Sequence, residues 1–172
     1  ARAATGDDAI GLHCLAAFEP GRVLSPLVYL ASSSATAQEA FERVVRALPA
    51  ALMVVAGEGP ARSELQRVAS ALGLDGHLLW LGYLDREREL ADCYRGGDAF
   101  VFTSKTETQG LVLLEAMTLG VPVVALAEMG TKDLLLERRA ALVAESVVDD
   151  FAGKCLEVLR DPALRARLAA EG

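Results

Sequence analysis

Short runs of β-branched and other apolar residues alternate along this chain with longer segments whose apolar positions recur every three or four residues. The short runs have the length of strands, and the longer segments have the period of helices that bury one face. Alternation of these two element types is typical of repeated strand-helix-strand units around a parallel sheet that is covered on both faces. The pattern therefore predicts an α/β fold, a Rossmann-like three-layer sandwich with a parallel sheet of about six strands.

The pattern also places the individual elements. The predicted strands are Leu27 to Ala31, Ala51 to Ala56, Leu78 to Leu81, Ala99 to Thr103, Val121 to Leu126 and Ala141 to Ala144. The predicted helices are Thr36 to Leu48, Pro60 to Gly73, Arg86 to Arg95, Gly110 to Leu119 and Thr131 to Arg138, and two more close the chain.

Proline, glycine and aspartate mark several of the predicted helix ends. Pro60 has a fixed φ that suits a first helical turn, and Gly73 and Gly120 stand where left-handed C-caps are expected. Asp161 precedes Pro162, an order that predicts an N-cap followed by proline at the first helical position.

The length of 172 residues suits one domain, and folding at this size buries roughly 70% of the surface that the unfolded chain exposes. We therefore interpret residues 1–172 as a single domain. Residues 1–25 contain a Pro20-Gly21 turn and fit a strand, an irregular lead-in or the remains of an interdomain linker. Ala1 to Ile10 lacks a basic segment followed by an apolar stretch, so no secretory signal is expected, and the missing initiator methionine suggests that something was removed.

Charge and hydropathy narrow the class of partner. The formal net charge of −7 argues against a nucleic-acid partner, because such a surface needs clustered Lys and Arg to neutralise phosphates. No apolar run approaches the roughly 20 residues that a membrane-spanning helix requires, so no transmembrane segment is expected.

The cysteines do not form a ligand set. Cys14, Cys93 and Cys155 are far apart and odd in number, and the only histidines are His13 and His77. We therefore expect buried or idle thiols, no metal site, and a reducing, cytosolic setting.

The stretch from Ala99 to Leu126 carries the chemistry, because it combines a strand, a polar loop, a helix and another strand. Ligands of open parallel sheets bind outside the carboxyl ends of the strands, where the loop from Thr103 to Gln109 would lie. The helix that opens at Gly110 would present backbone N–H groups as far as Val112, and these groups and the helix dipole favour a diphosphate.

Two carboxylates flank the start of this helix. Glu107 lies in the loop, and Glu115 lies about one and a half turns into the helix. An ionised carboxylate has two acceptor oxygens, so Glu115 could hold both ribose hydroxyls and Glu107 could take hydroxyls of a sugar nearer the reacting end. Two other interpretations remain open at this point: a pair of solvated surface carboxylates, and the acid/base pair of a glycosidase.

The residues 107–117, ETQGLVLLEAM, followed by GVPVV at 120–124, resemble the signature of the family 4 (group 1) retaining glycosyltransferases of the GT-B fold. The resemblance extends to GEGP at 57–60, to LGYLD at 81–85 and to GTKD at 130–133, and covers roughly residues 50–137 in the order that the family uses. It implies that the chain is the C-terminal, donor-binding half of such an enzyme and that the N-terminal, acceptor-binding domain is absent.

The resemblance also implies a role for each matching residue. Backbone groups of Tyr83 and Leu84 would contact the base, and Glu115 would hold the ribose. The diphosphate would lie against Gly110, Leu111 and Val112. Glu107, Thr108 and Gln109 would contact the donor sugar.

The implied donor is a nucleotide-diphosphate sugar, most often linked to UDP or GDP, and no cofactor or divalent metal is needed. The acceptor would be a lipid or a saccharide that the absent domain brings. The resemblance thus implies a hexosyltransferase that works in the cytoplasm or at the inner face of the membrane, and an isolated half without transfer activity.

One departure concerns charge. The family normally follows its first strand with Gly-Arg and, five or six residues later, a Lys, and the two cations neutralise the diphosphate. The corresponding stretch from Tyr29 to Gln38 has neither cation. Lys105, in the loop before the helix, is the candidate for part of the missing charge.

This departure keeps alternatives open. A non-catalytic nucleotide-sugar-binding or scaffolding module could have kept the fold and lost this phosphate clamp. A nucleotide-sugar epimerase would share the sheet and act on the donor itself.

Overall fold

A computed structural model describes residues 27–30, 35–56, 59, 61–85, 89–103, 110–126, 135 and 140–172. In this part of the chain, six strands form one sheet in the order β3-β2-β1-β4-β5-β6, and every neighbouring pair is parallel. The strands are β1 (Leu27–Leu30), β2 (Leu52–Val55), β3 (Leu78–Trp80), β4 (Ala99–Phe102), β5 (Val123–Leu126) and β6 (Ala141–Ala144). The helices are α1 (Ala35–Ala47), α2 (Arg62–Ala71), α3 (Glu89–Gly96), α4 (Leu111–Thr118), α5 (Val148–Arg160) and α6 (Pro162–Glu171).

The predicted α/β class and the six-stranded parallel sheet are confirmed. Parallel strands buried on both faces read as continuous apolar runs, which is why their positions could be predicted so closely. Three predicted features fall largely outside the described residues: the lead-in at residues 1–25, the first turn at Pro60, and the helix from Thr131 to Arg138, of which only the buried Leu135 is described.

Side chains alternate between two core clusters on opposite faces of the sheet. On β4, Ala99 and Val101 point to the first cluster, and Phe100 and Phe102 point to the second. The first cluster packs against α1, α2, α5 and α6, and the second packs against α3 and α4. The two faces are therefore covered as the sandwich architecture requires.

The predicted helix ends have the expected local chemistry. Asp161 Oδ1 accepts hydrogen bonds from the backbone N–H groups of Ala163 at 2.9 Å and Leu164 at 3.0 Å, so it is the N-cap of α6. Gly73 and Gly120, which follow α2 and α4, have φ values of 70° and 72° in the left-handed region. Glycine suits both positions because it has no Cβ to clash there.

The strand order fixes where a ligand can bind. The chain moves outward from β1 through β2 to β3, then returns to pair β4 with the other side of β1. The connections therefore diverge at the carboxyl ends of β1 and β4, which leaves a crevice between them. The segments that follow these two strands lead into α1 and α4.

In the part of the chain that the structure describes, no helix has the length and apolar character that a membrane span needs.

Candidate functional site

Helix α4 begins at the crevice with a glycine in an unusual conformation. Gly110 is the N-cap, is buried, and has φ 64° and ψ 23° in the left-handed region. Its carbonyl accepts hydrogen bonds from the backbone N–H groups of Leu113 at 2.9 Å and Leu114 at 3.2 Å. The helix therefore opens at Gly110, as predicted, and the left-handed turn there favours a residue without a side chain.

The first turn of α4 has the properties of an anion site. Leu111 and Val112 stand at the first two helical positions, where backbone N–H groups have no acceptor within the helix and point toward its start. The helix dipole adds partial positive charge at the same end. The Leu111 side chain is 56% exposed, so this end of the helix faces solvent. The arrangement suits a phosphate or diphosphate.

Glu115 lies on the second turn of α4 and is partly buried. Tyr94 of α3 donates a hydrogen bond from its hydroxyl to Glu115 Oε2 at 3.3 Å. The carboxylate is therefore in contact with a side chain from the neighbouring helix.

Tyr94 is itself fixed by the second core cluster. It is only 1% exposed, and its ring lies 5.5 Å from that of Phe100, with an angle of 44° between the ring planes. Phe100 in turn stacks on Phe102 at a centroid distance of 6.4 Å. This row of aromatic rings connects the Glu115 carboxylate to the core of β4, whose end leads into the predicted sugar-binding loop.

The predicted base-binding residues lie beyond the carboxyl end of β3. The side chain of Tyr83 is 75% exposed, whereas Leu84 is partly buried against the second core cluster. The end of the loop is tied to α3, because the Asp85 backbone N–H donates to Glu89 Oε2 at 2.9 Å and Leu90 donates to the Asp85 carbonyl at 3.0 Å.

Two strands, β2 and β1, separate β3 from β4. Three inter-strand spacings place the ends of β3 and β4 roughly 14 Å apart. That span is on the scale of an extended nucleoside diphosphate.

Four predicted site residues lie outside the described residues, namely Lys105, Glu107, Thr108 and Gln109. Their roles stay predictions. The two described residues on either side of them, Thr103 after β4 and Gly110 at the start of α4, are both buried.

On the other side of the crevice, the described start of α1 offers no positive charge to a diphosphate. The first turn of α1 is Ala35-Thr36-Ala37-Gln38, with no Lys or Arg. Gln38 is 1% exposed, and its Nε2 donates to the Leu65 carbonyl of α2 at 3.0 Å. Its amide is therefore turned into the packing between α1 and α2.

The cysteines do not contribute chemistry to this site. Cys93 and Cys155 are free and buried, as expected, and burial raises the pKa of both thiols. Within the described ranges, no group of three His, Cys, Asp or Glu side chains could hold a metal ion. Cys14 lies outside those ranges.

A cavity of about 300 Å³ lies away from the crevice, between α2 and the sheet-edge strand β3. Its walls include Ser70, Asp75 and Trp80, and Ser70 donates a hydrogen bond of 2.8 Å to Asp75 Oδ1. Trp80 packs against the first core cluster but is only partly buried, because an edge strand has a neighbour on one side only.

The sequence pattern missed Tyr94 as a site residue. A signal was present, since a tyrosine on the buried face of a helix needs a hydrogen-bond partner for its hydroxyl. The partner, 21 residues further along the chain, could be identified only from the fold.

Comparisons with known proteins show which family the chain belongs to. Residues 35–172 match the family described as glycosyl transferases group 1. The chain is 33% identical over 127 residues to the sulfoquinovosyl transferase SQD2 of Arabidopsis thaliana, which covers 72% of the chain and 24% of that protein. It is 35% identical over 137 residues to the D-inositol 3-phosphate glycosyltransferase of Mycolicibacterium smegmatis, which covers 75% of the chain and 31% of that protein. The chain thus spans about a quarter to a third of the curated relatives it matches.

Solved structures share the fold. The crystal structure of WaaG, a glycosyltransferase involved in lipopolysaccharide biosynthesis, superimposes with a TM-score of 0.76 at 21% identity and covers 87% of this chain and 42% of that one. The Anabaena protein HepE, crystallised with UDP and glucose, superimposes with a TM-score of 0.70 at 20% identity and covers 86% of this chain and 42% of that one.

The parallel sheet with its crevice, the glycine-opened helix and the family match over residues 35–172 lead to one assignment: this chain belongs to the group 1 glycosyl transferase family.

Proposed function

We propose that this chain is the nucleotide-sugar-binding, C-terminal half of a retaining glycosyltransferase of the GT-B fold, and that a separate N-terminal domain brings the acceptor. The observation that carries the proposal is the start of α4: Gly110 opens the helix at the crevice, and Glu115 stands one turn further along, held by Tyr94. An anion site and a ribose-binding carboxylate then lie on one short helix.

In this proposal, each part of the donor has its own contact. The diphosphate lies against the backbone of Gly110, Leu111 and Val112, where the helix dipole favours negative charge. Glu115 accepts hydrogen bonds from the ribose hydroxyls, since charge-assisted bonds of this kind are among the stronger ones. Backbone groups of Tyr83 and Leu84 contact the base, which explains why the Tyr83 side chain can be exposed.

The loop before α4 would hold the transferred sugar. Glu107 takes sugar hydroxyls together with Thr108 and Gln109, and Lys105 supplies positive charge near the departing phosphate. The bond between the anomeric carbon and the diphosphate oxygen breaks, the acceptor oxygen bonds to that carbon on the same face, and the nucleoside diphosphate leaves. The proton of the acceptor hydroxyl passes to the departing diphosphate oxygen as the new bond forms.

The names of the relatives support the transfer of a sugar, and we infer a lipid or a saccharide as its acceptor. A sulfoquinovosyl transferase and an inositol phosphate glycosyltransferase are among them, and HepE was crystallised with UDP and glucose. We infer a UDP- or GDP-linked hexose donor, no metal requirement, and action in the cytoplasm or at the inner face of a membrane. Positioning both substrates supplies much of the rate in such reactions, so the chain alone should bind the donor without transferring its sugar.

The test is calorimetric titration of the chain with UDP, GDP and ADP, alongside Glu115→Ala and Lys105→Ala variants. We expect one nucleotide to bind, and Glu115→Ala to weaken binding by about 1–3 kcal/mol, the scale for a hydrogen bond to a charged group. Lys105→Ala should weaken binding of the nucleoside diphosphate more than binding of the monophosphate of the same nucleoside. Absence of binding to all three nucleotides at millimolar concentration contradicts the proposal for this chain.

A second candidate function is favoured by the first turn of α1. It contains no Lys or Arg, and one of its two polar side chains, Gln38, is buried and bonded to Leu65, so the turn offers no charge to a diphosphate. A non-catalytic nucleotide-sugar-binding or scaffolding module would have this property. Such a module should bind nucleoside monophosphate and diphosphate with equal affinity, whereas a donor site for transfer should prefer the diphosphate at least about tenfold, or 1.4 kcal/mol.

A further inference from the structure

We propose that Tyr94 is a positioning residue that orients the Glu115 carboxylate for the ribose of the donor. The inference rests on the proposed function of Glu115. It goes beyond that function by assigning a role in nucleotide affinity to a side chain that is itself buried and out of reach of any ligand.

The geometry of the pair is directional. The Tyr94 hydroxyl donates to one oxygen of Glu115, Oε2, at 3.3 Å. A carboxylate held through one oxygen cannot rotate freely about its terminal bond, so both oxygens have a defined direction before a ligand arrives. Fixing an acceptor in advance improves binding, because less side-chain entropy is lost when the ligand orders it.

The support for Tyr94 comes from the strand that leads to the crevice. Its ring packs against Phe100 of β4, and Phe100 stacks on Phe102, the last residue of that strand. The hydroxyl is thus fixed relative to the strand that precedes the predicted sugar loop, and not only relative to α3. A carboxylate anchored in this way keeps its position relative to the donor site.

The Tyr94 hydroxyl can be removed without removing its ring. Tyr94→Phe deletes the donor to Glu115 and keeps the ring that packs against Phe100. A leucine or phenylalanine would fill the same apolar position without a buried hydroxyl. If Tyr94 acts through Glu115, its hydroxyl should matter more for ribose binding than for the stability of the fold.

The experiment is a double-mutant cycle in which Tyr94→Phe, Glu115→Ala and the double variant are titrated with UDP, GDP and ADP. The nucleotide that binds is then compared with its 2′-deoxy form. Tyr94→Phe should weaken binding of the ribonucleotide about threefold to tenfold. In the Glu115→Ala background, the same substitution should change affinity by less than about twofold. The effect should also shrink with the 2′-deoxynucleotide. Leu90→Val, which trims the same core cluster on the same helix and leaves the pair intact, should leave affinity unchanged.

The outcomes separate this inference from the proposed function. Tyr94→Phe with wild-type affinity, in a chain whose nucleotide binding depends on Glu115, overturns the role of Tyr94 and leaves the proposed function standing. An equal loss in the wild-type and Glu115→Ala backgrounds also overturns it, because Tyr94 would then act through the fold. No nucleotide binding by the unmodified chain overturns both.

A second measurement needs no change at Tyr94, so a folding defect in that variant cannot hide the answer. The ring carbon that bears the Tyr94 hydroxyl should shift in the NMR spectrum when the nucleotide binds, and the shift should vanish in Glu115→Ala at saturating nucleotide. If nucleotide binding depends on Glu115 but the Tyr94 ring signal does not shift when the nucleotide binds, the inference is contradicted.

Discussion

Gln38 and Leu65 join the first turns of α1 and α2, since Gln38 Nε2 donates a hydrogen bond of 3.0 Å to the Leu65 carbonyl. The same side chain is 1% exposed, and its Oε1 has no hydrogen-bond partner among the described residues. An amide oxygen that loses its hydration and gains no donor destabilises the folded state. The Leu65 carbonyl also belongs to a helix, where Ala69 is placed to satisfy it.

Replacing this amide should therefore be tolerated. We expect Gln38→Met, which keeps the volume, to change the free energy of unfolding by less than about 1 kcal/mol or to raise it, because the unpaired oxygen is removed together with one modest hydrogen bond. Urea unfolding measures the change. Gln38→Glu is the opposing control, because an unpaired charge at this position should destabilise the chain strongly. A loss above about 2 kcal/mol in Gln38→Met would show that the bond to Leu65 outweighs the unpaired oxygen.

The left-handed turn at Gly110 should not accept a side chain. Gly110→Ala is expected to lower the free energy of unfolding by about 1–2 kcal/mol, the scale of left-handed strain in an L-residue, and to weaken nucleotide binding as the helix start moves. Calorimetry and thermal unfolding give both quantities. Gly153→Ala is the matched control, because this helical glycine has open space around an added Cβ and the substitution should stabilise α5 by up to about 1 kcal/mol.

The N-cap of α6 offers a test of the C-terminal packing. Asp161→Ala removes the acceptor of two backbone N–H groups and should lower the free energy of unfolding by about 1 kcal/mol. Asp161→Asn keeps an acceptor oxygen at the same place and should be close to neutral. Equal stabilities of the two variants in urea would argue that the capping bonds contribute nothing.

The buried thiol of Cys155 should make stability depend on alkaline pH. Burial raises the pKa of this thiol in the fold, whereas an unfolded thiol ionises near pH 8.5. The folded state therefore keeps this proton to a higher pH than the unfolded state does. The free energy of unfolding is unaffected by the thiol below about pH 8.5 and falls by roughly 1.4 kcal/mol per pH unit above it. Unfolding free energies measured from pH 7.5 to pH 10 should decline less steeply in Cys155→Ala. An identical slope in the variant contradicts the assignment.

Much of the fold followed from sequence because parallel strands and their helices have strong patterns. Strand and helix bounds agree to within about three residues where both are described, and Asp161, Gly73 and Gly120 mark helix ends through local chemistry alone. The order of the strands in the sheet could not be predicted from these patterns, because it depends on contacts between distant segments. Trp80 illustrates the limit, because its partial exposure follows from the place of β3 at the sheet edge.

The site could be predicted in part. The position of Gly110 at the start of α4, and of Glu115 on the same helix, could be predicted from the strand-loop-helix pattern, whereas the roles of both residues stay predictions. Tyr94 could not be linked to Glu115, because the two lie on different helices and meet only when α3 and α4 pack on the same face of the sheet. The buried orientation of Gln38 could not be predicted either, because its neighbours along the chain do not indicate a contact with Leu65.

The most direct test of the donor-site account is an amide NMR titration of the isotope-labelled chain with UDP, GDP and ADP. The account predicts that one nucleotide shifts the backbone signals of Gly110, Leu111 and Val112, together with those of Tyr83 and Leu84, and leaves the cavity beside Ser70 and Trp80 unaffected. Shifts confined to that cavity, or no shifts at millimolar nucleotide, would contradict it.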